Sequence, residues 1–333
     1  MGNPDVLITG ATGFIGTNVT LQAIERGYKV RAFGLKNSVI KYIDVPGVEI
    51  VYGDITDPQS VESAMDGIDK VIHMAGDTSW WSKLVPRQRR INIDGVRNVV
   101  EAAVKHNVKK FVHTGTACTI GINPNGLTDE TWSDYNIEHV KYEYSFNKRI
   151  GDQIIFDAAS NGLDATIISP GGIMGPYDFT LQFGRVFLNI KNQKLPGIPC
   201  GGQSWGHVGE VAKAHLNALE HGKSGERYIC AGPPHTYKEV FEEIAKSIDM
   251  KLPSDRVFSP RMSVFLGHLM EFFSVFTKKP PQLSPSKSRW MNQYPKYDSS
   301  KAVRELDYVV YPLKKIVEDA RDWYIENGFL DVN

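Results

Sequence analysis

The sequence predicts an α/β protein: a doubly wound, mostly parallel sheet carrying a small C-terminal α/β lobe. Three observations predict it. Strand-like apolar runs and helix-like amphipathic runs alternate through the first 170 residues. The strand candidates have nearly unbroken apolar centres, as in Lys70 to Ala75, the mark of strands covered on both faces. A glycine-rich turn, Thr9 to Gly16 (TGATGFIG), joins the first strand to the first helix. In such a turn backbone N–H groups and the helix dipole converge on an anion. Glycines at 10, 13 and 16 fit a tight turn, the approach of a pyrophosphate, and close helix–strand packing. The spacing G-x-x-G-x-x-G departs from the G-x-G-x-x-G dinucleotide fingerprint, and an ordinary strand-to-helix turn is the alternative reading.

Each element follows in order. Val6-Leu7-Ile8 is a strand, and the helix after the glycine turn runs through Leu21 and Ile24 to Arg26-Gly27. Lys29–Phe33 and Val48–Tyr52 are the second and third strands. Asp57-Pro58 reads as an N-cap with proline at the first helical position. After the strand at 70–75, Ile91 to His106 places Val96, Val99, Val100 and Val104 on one helical stripe. Lys110–Thr114 is a fifth strand, Val140–Asn161 a long helix, and Ala165–Ser169 a sixth strand ended by Pro170-Gly171-Gly172. Beyond 170 the pattern breaks. Residues 171–206 and 250–296 are irregular and rich in Pro, Gly or aromatics. Between and after them lie a helix at Glu210–Glu220, a short strand near Tyr228, a helix opened by a Thr236/Glu239 capping box, and a last helix at Lys314–Asn327. The expected division is a dinucleotide-binding domain at 1–170, with returns at about 207–232, and a substrate lobe from 171–206 and 233–333.

The 333 residues balance 38 Lys+Arg against 38 Asp+Glu, so nothing suggests steering to nucleic acid. Three cysteines (Cys118, Cys200, Cys230) without metal-ligand spacing fit a reducing cytoplasm, and no metal site is expected. No secretory signal is visible at the N-terminus. The most apolar stretch, Met262 to Phe276, carries His268 and Glu271 and falls short of the roughly 20 residues that span a bilayer. A soluble protein is expected.

Six motifs occur in a telling order: Thr9 to Gly16, Gly53-Asp54, His73-Met-Ala-Gly76, Thr114-Gly-Thr-Ala117, Tyr144-x-x-x-Lys148 and Pro170 to Pro176. His207-Val208-x-Glu210-Val211-Ala212 follows them. With these the chain resembles the extended short-chain dehydrogenase/reductases, within the NAD-dependent epimerase/dehydratase superfamily. It is most similar there to dihydroflavonol-4-reductase-like proteins. The resemblance covers essentially the whole chain and implies a Rossmann fold.

Y-x-x-x-K alone is weak, since Tyr297/Lys301 and Tyr311/Lys315 also match. Those two are expected at the surface; only Tyr144/Lys148 lies on a helix between core strands, after a Thr-rich strand end. A phenol with a pKa near 10 is poorly matched to proton transfer at neutral pH, and an adjacent ammonium would lower it. Lys148 is assigned that role, Tyr144 the proton transfer, and Thr116 the orientation of the reacting oxygen. The resemblance implies that Lys148 also holds nicotinamide ribose. It further implies a cofactor path over Gly10, Thr12, Gly13, Phe14, Ile15, Gly16, Asp54, Ile55, Met74, Ala75, Gly76, Thr114, Pro170, Gly171 and Ile173. Asn92 resembles a family site residue, with a helix-bracing amide as the equal alternative; Asn147 replaces a frequent Ser.

An acid ending the second strand would bind the ribose 2′-OH of NAD. That position is Gly34, and Arg31 and Lys36 are nearby cations, so NADP is favoured and NAD remains open. Trp80 and Trp81, with Tyr177, are expected at the substrate pocket, and Phe179, Phe183, Phe187 and Trp205 near its other side, with packing of the lobe core as the equal alternative for all but the two tryptophans. Aromatics there suit an apolar or ring-containing substrate. His73 and His207 are expected to be structural. The expected activity is hydride transfer between NADP and a carbonyl or alcohol. The alternatives are a sugar-nucleotide epimerase or dehydratase, disfavoured by Gln203 where such relatives carry Arg, a 3β-hydroxysteroid-dehydrogenase-like enzyme using 262–276 as a lid or membrane contact, or a non-catalytic dinucleotide sensor. Pairing of long helices makes a homodimer an expectation from the resemblance.

Overall fold

The computed structural model describes residues 4–331. Its main sheet has seven parallel strands: β1 (Val6–Thr9), β2 (Val30–Gly34), β3 (Val48–Tyr52), β4 (Lys70–His73), β5 (Lys110–Thr114), β6 (Ala165–Pro170) and, returning after an excursion, β9 (Arg227–Cys230). The order is β3-β2-β1-β4-β5-β6-β9, so the direction of winding reverses between β1 and β4. Ligands of such sheets bind where the order reverses, beyond the strands' carboxyl ends. The Thr9↔His73 register puts the Gly10 turn and the Met74 segment side by side at that point.

Helices cover both faces. On one face α1 (Phe14–Glu25) and α7 (Val208–His221) bury Val6, Ile8, Val30, Ile72, Val112 and Ile168. On the other, α2 (Pro58–Met65), α4 (Val96–Lys105) and α5 (Glu143–Ser160) bury Leu7, Phe33, Val71, Phe111 and Ile167. The Asp57 carboxylate accepts from the Gln59 N–H, as the Asp-Pro pair predicts. The helix expected from Ile91 starts earlier. A short α3 (Val85–Arg89) runs through one π turn (Arg90–Gly95) into α4. Pro86 stands in the first turn of α3, where a missing N–H is tolerated.

The excursion carries a second, three-stranded sheet of β7 (Gly172–Met174), β8 (Gly202–His207) and β10 (Pro234–Thr236), ordered β10-β8-β7. Around it pack α6 (Gly184–Lys191), α8 (Tyr237–Ser247) and α12 (Leu313–Glu326), with a core of their own that includes Phe187, Trp205, Phe241, Val317 and Trp323. The capping box of α8 is complete, Thr236 and Glu239 each bonding the other's backbone N–H. Two further elements, α9 (Pro260–Thr277) and α10 (Pro285–Met291), lie beside this lobe, and α11 (Ser300–Leu306) comes back to the main sheet. Ala302, Leu306 and Tyr308 complete the apolar core under α7 and β9. Short pieces such as β7, β10 and α11 carry too few residues for a period to be visible in the sequence.

Candidate active site

The three glycines of the first turn have different causes. Gly10 has φ +71°, and a Cβ there would lie 2.7 Å from the Ala75 backbone nitrogen. A Cβ on Gly16 would collide with the Gly10 carbonyl oxygen and the Ala11 backbone. Folding alone demands both. At Gly13 the only near atom is Gly10 O at 3.3 Å, so the protein itself leaves that side of the turn open. No side chain caps α1, and the amides of Phe14, Ile15 and Gly16 make no hydrogen bond among the described residues. An open glycine face above free N–H groups at a helix start matches a dinucleotide pyrophosphate. The residues present therefore fit the implied cofactor.

The groove's walls are organised by Thr9. Its hydroxyl lies 2.6 Å from His73 Nδ1 and accepts from the Met74 and Ala75 N–H groups, which fixes the Met74-Ala75-Gly76 segment. His73 is thus a strand-end brace; burial, then the Lys148 charge, pushes its pKa down to about 3, so it stays neutral. Asp54 turns one carboxylate oxygen to the backbone and hydroxyl of Thr56, and Ile55 is buried against α4. Gly171 lies against Ala231 and the Ser204 carbonyl, and Ile173 is half-buried on β7. Asn92 is the brace of the two alternatives: its amide bonds both backbone groups of Asp77.

Arg31 does not fit its expected role. Its Nε is paired with Glu49 at 2.9 Å and its guanidinium bonds the carbonyls of Ala64 and Asp66. The side chain ties β2 to β3 and the end of α2, and is not free for a phosphate. Lys36 is exposed just beyond β2 and has no ion pair among the described residues. It is the cation available next to Gly34, where a Cβ would meet the Thr12 hydroxyl at 3.3 Å.

At the other end of the groove, α5 presents Tyr144, with Lys148 one turn on. Lys148 is buried, and its Nζ donates to the Thr114 carbonyl at 2.7 Å and lies 3.3 Å from His113 Nε2. The Thr114 hydroxyl lies 2.8 Å from His215 Nε2, so what Thr114 offers the site is its carbonyl. Thr116 lies half-buried with its hydroxyl 3.3 Å from Cys118 Sγ. Burial pushes that thiol up to about 11, so it remains protonated. The expectation that Lys148 lowers the Tyr144 pKa is not met. Burial, followed by the fields of Cys118, Asp152 and Asp77, pushes the phenol well above 10. Lys148 is directed to Thr114 and His113 instead, and burial lowers its own pKa. Asn147, the departure from the family's Ser, is buried and donates to Gln88 Oε1 at 3.1 Å.

A cleft of about 230 Å³ opens in front of Tyr144, walled by Trp80, Trp81, Tyr142, His268, Glu271 and Arg289 among others. Both expected tryptophans are there. Trp80 stacks flat on Tyr142, ring centroids 4.2 Å apart and planes 3° apart, and Tyr142 leans on Tyr144 at 5.4 Å. Tyr142 went unrecognised in the sequence, which offers the stretch 262–276 as a lid or membrane contact without marking His268 or Glu271 as pocket residues. Tyr142 stands two residues before the catalytic pair, but nothing local says that a stack forms. Tyr177 is not in this cleft. It packs edge-on to Tyr42 and against Trp323. Phe179, Phe183, Phe187 and Trp205 likewise fill the lobe core. A cluster of large aromatics looks the same in sequence whether it lines a pocket or fills a core. Tyr297, expected at the surface, is 5% exposed under Ala117 and Ile229, and Tyr311 is half-buried, edge-on to His207. His207 caps α7 by accepting from Gly209 N. The three cysteines are free thiols, and among the described residues no cluster of three His, Cys, Asp or Glu could hold a metal.

Comparison with known proteins agrees with this fold. The model of the NAD dependent epimerase/dehydratase family matches residues 6–231. Sterol demethylase protein B of Methylococcus capsulatus is 28% identical over 327 residues, 97% of this chain and 99% of that one. A putative dihydroflavonol 4-reductase of Synechocystis is 26% identical, covering 97% and 95% of the two chains. The crystal structure of gox2253 superposes with a TM-score of 0.85 at 26% identity, covering 99% of this chain and 100% of that one. The chain belongs to the NAD-dependent epimerase/dehydratase family, as an extended short-chain dehydrogenase/reductase. It is an NAD(P)-dependent oxidoreductase.

Proposed function

We propose that the protein is an NADPH-dependent carbonyl reductase for an apolar, ring-containing ketone or aldehyde. The observation that carries this is that Tyr144 lines one cleft together with the stacked Trp80–Tyr142 pair. Flat aromatic walls suit a ring system, and relatives named for sterol and dihydroflavonol chemistry support the class. A sugar nucleotide is less well supported: Gln203, whose side chain lies over Gly172, brings no cation to a diphosphate.

The nicotinamide supplies or accepts the hydride when bound. The chain's own groups do the rest. Tyr144 donates its phenolic proton to the carbonyl oxygen as that oxygen becomes an alkoxide, and Thr116 hydrogen-bonds the same oxygen and fixes its angle. Lys148, held by Thr114 O, is the residue for the nicotinamide ribose hydroxyls. Because burial raises the phenol pKa, the proton-donating form predominates at neutral pH. Carbonyl reduction therefore varies little around neutrality, whereas alcohol oxidation, which needs the phenolate, rises steadily with pH. Initial rates in both directions across a pH series test this; oxidation that falls with pH would contradict it.

Residues Gly10 to Gly16, Met74 to Gly76, Asp54, Ile55 and Pro170 to Ile173 would hold the dinucleotide, with Lys36 at its 2′-phosphate. Lys36→Ala is expected to weaken NADPH by about 1 kcal/mol, roughly fivefold, and to leave NADH unchanged. Titration of both nucleotides by fluorescence reads this, and equal effects on the two would remove Lys36 from phosphate recognition. The three free thiols support work in a reducing compartment such as the cytoplasm, and α4 and α5 are the helices through which a homodimer would pair.

A further inference from the structure

The helix α9 is amphipathic the wrong way round. Its inward residues are small: Ser263, Gly267 and Ser274 are buried against α10. A Cβ on Gly267 would lie 2.8 Å from Ser288 Oγ and 2.9 Å from the Pro285 nitrogen. Ser288 Oγ donates to the Ser263 carbonyl at 2.9 Å. The helix is clamped close to its neighbour by these contacts. Its outward arc holds Met262, Phe265, Leu269, Phe272, Phe273 and Phe276, with Phe265 63% and Phe276 70% exposed. A helix of a water-facing surface points such residues to the core.

Charge decides what covers this face. Between residues 256 and 297 the sequence has seven Lys and Arg and one acid, Glu271, in a chain whose charges balance overall. The one acid is turned away, accepting from Ser82 N at the edge of the Tyr144 cleft. Arg261 stands at the start of the apolar arc and Lys278 and Lys279 at its end, all exposed. Two copies of α9 laid together, parallel or antiparallel, would set cation on cation. An anionic lipid interface meets the arc with acyl chains and both ends with phosphates.

We propose that α9 docks on an anionic lipid surface, lying in the interface plane. Among the described residues no helix is long and apolar enough to cross a membrane, so the contact is peripheral. His268 and Glu271, on the flank of the same helix, wall the Tyr144 cleft, which therefore opens beside the lipid.

The full chain is mixed with vesicles of phosphatidylcholine alone, or with about one third phosphatidylglycerol, and binding is read by co-sedimentation. Wild type is expected to bind the anionic vesicles, less so at high salt. Phe272→Ser with Phe276→Ser should lower partitioning about 100-fold or more. Lys278→Glu with Lys279→Glu should lower it about tenfold or more, on anionic vesicles only. Circular dichroism melts matching wild type establish that both variants fold. No binding to anionic vesicles, or equal binding by the phenylalanine variant, overturns the proposal. So does a wild-type dimer in light scattering that this variant abolishes, since a second copy then covers the face. The binding is read without substrate, so it stands or falls separately from the reductase activity. Turnover of a water-soluble ketone tests that activity.

Discussion

Tyr144→Phe is expected to lower carbonyl-reduction turnover by about 10²–10⁴-fold while dinucleotide affinity stays nearly constant. The substitution removes one hydroxyl from a residue that lines the cleft, and no hydrogen bond found among the described residues ends on that hydroxyl. It therefore leaves no protein group unpaired, and the ring still supports the Tyr142–Trp80 stack. The thermal midpoint should not move. What is lost is a proton delivered to the forming alkoxide, an interaction made in the transition state and not in the ground state. kcat and kcat/KM should accordingly fall together. Single-turnover oxidation of NADPH, with nucleotide binding measured separately, checks this. Turnover within about threefold of wild type would remove Tyr144 from the acid role.

Asp152→Ala is the largest expected loss of stability, about 3–5 kcal/mol. Asp152 is fully buried on α5; Arg227 of β9 pairs with it at 2.6 Å and the Thr119 hydroxyl donates to it at 2.7 Å. Its other oxygen lies 3.7 Å from His113 Nε2. Removing the carboxylate leaves the Arg227 guanidinium, 12% exposed, without a counter-charge. Denaturant unfolding reads the loss, and Arg227→Met in the same background should recover part of it. A shift below about 1 kcal/mol would show that water reaches Arg227 and that the pair is not desolvated. The same carboxylate helps keep buried Lys148 charged, so the alanine variant should also lose activity.

The main sheet was legible in the sequence because parallel strands are continuous apolar runs with sharp ends. β3 and β5 run over the predicted residues, and the Asp57 and Thr236 caps are made by the predicted side chains. Tyr144 and Lys148 share α5, and Lys148 reaches the Thr114 carbonyl two residues before Thr116, a placement that follows from strand and helix ends. In the lobe the helices after Thr236 and Lys314 were legible, but its small sheet was not. β7, β8 and β10 hold together through pairing with distant segments, a tertiary property. Tyr177 and Trp81 could not be separated by residue type, because burial in a core and exposure in a cleft select the same aromatics. Arg31 misled for a related reason. A cation on β2 is near the cofactor in sequence, yet strand alternation and Glu49 opposite it on β3 turn it to other partners.

The route of the chain has a further meaning for assembly. It leaves the main sheet at Pro170, returns at Arg227, leaves again, and sends α11 back to seal the core with Ala302, Leu306 and Tyr308. Asn217 and Tyr228 are anchored by Leu306 and Glu305 of that late helix. The segment 6–231 by which the family is recognised thus lacks three residues of its own core layer. Synthesis can lay down six strands early, but the hydrophobic layer under β9 closes only after residue 308 has emerged. A single cut anywhere between residues 231 and 302 would separate this core layer from the residues that complete it.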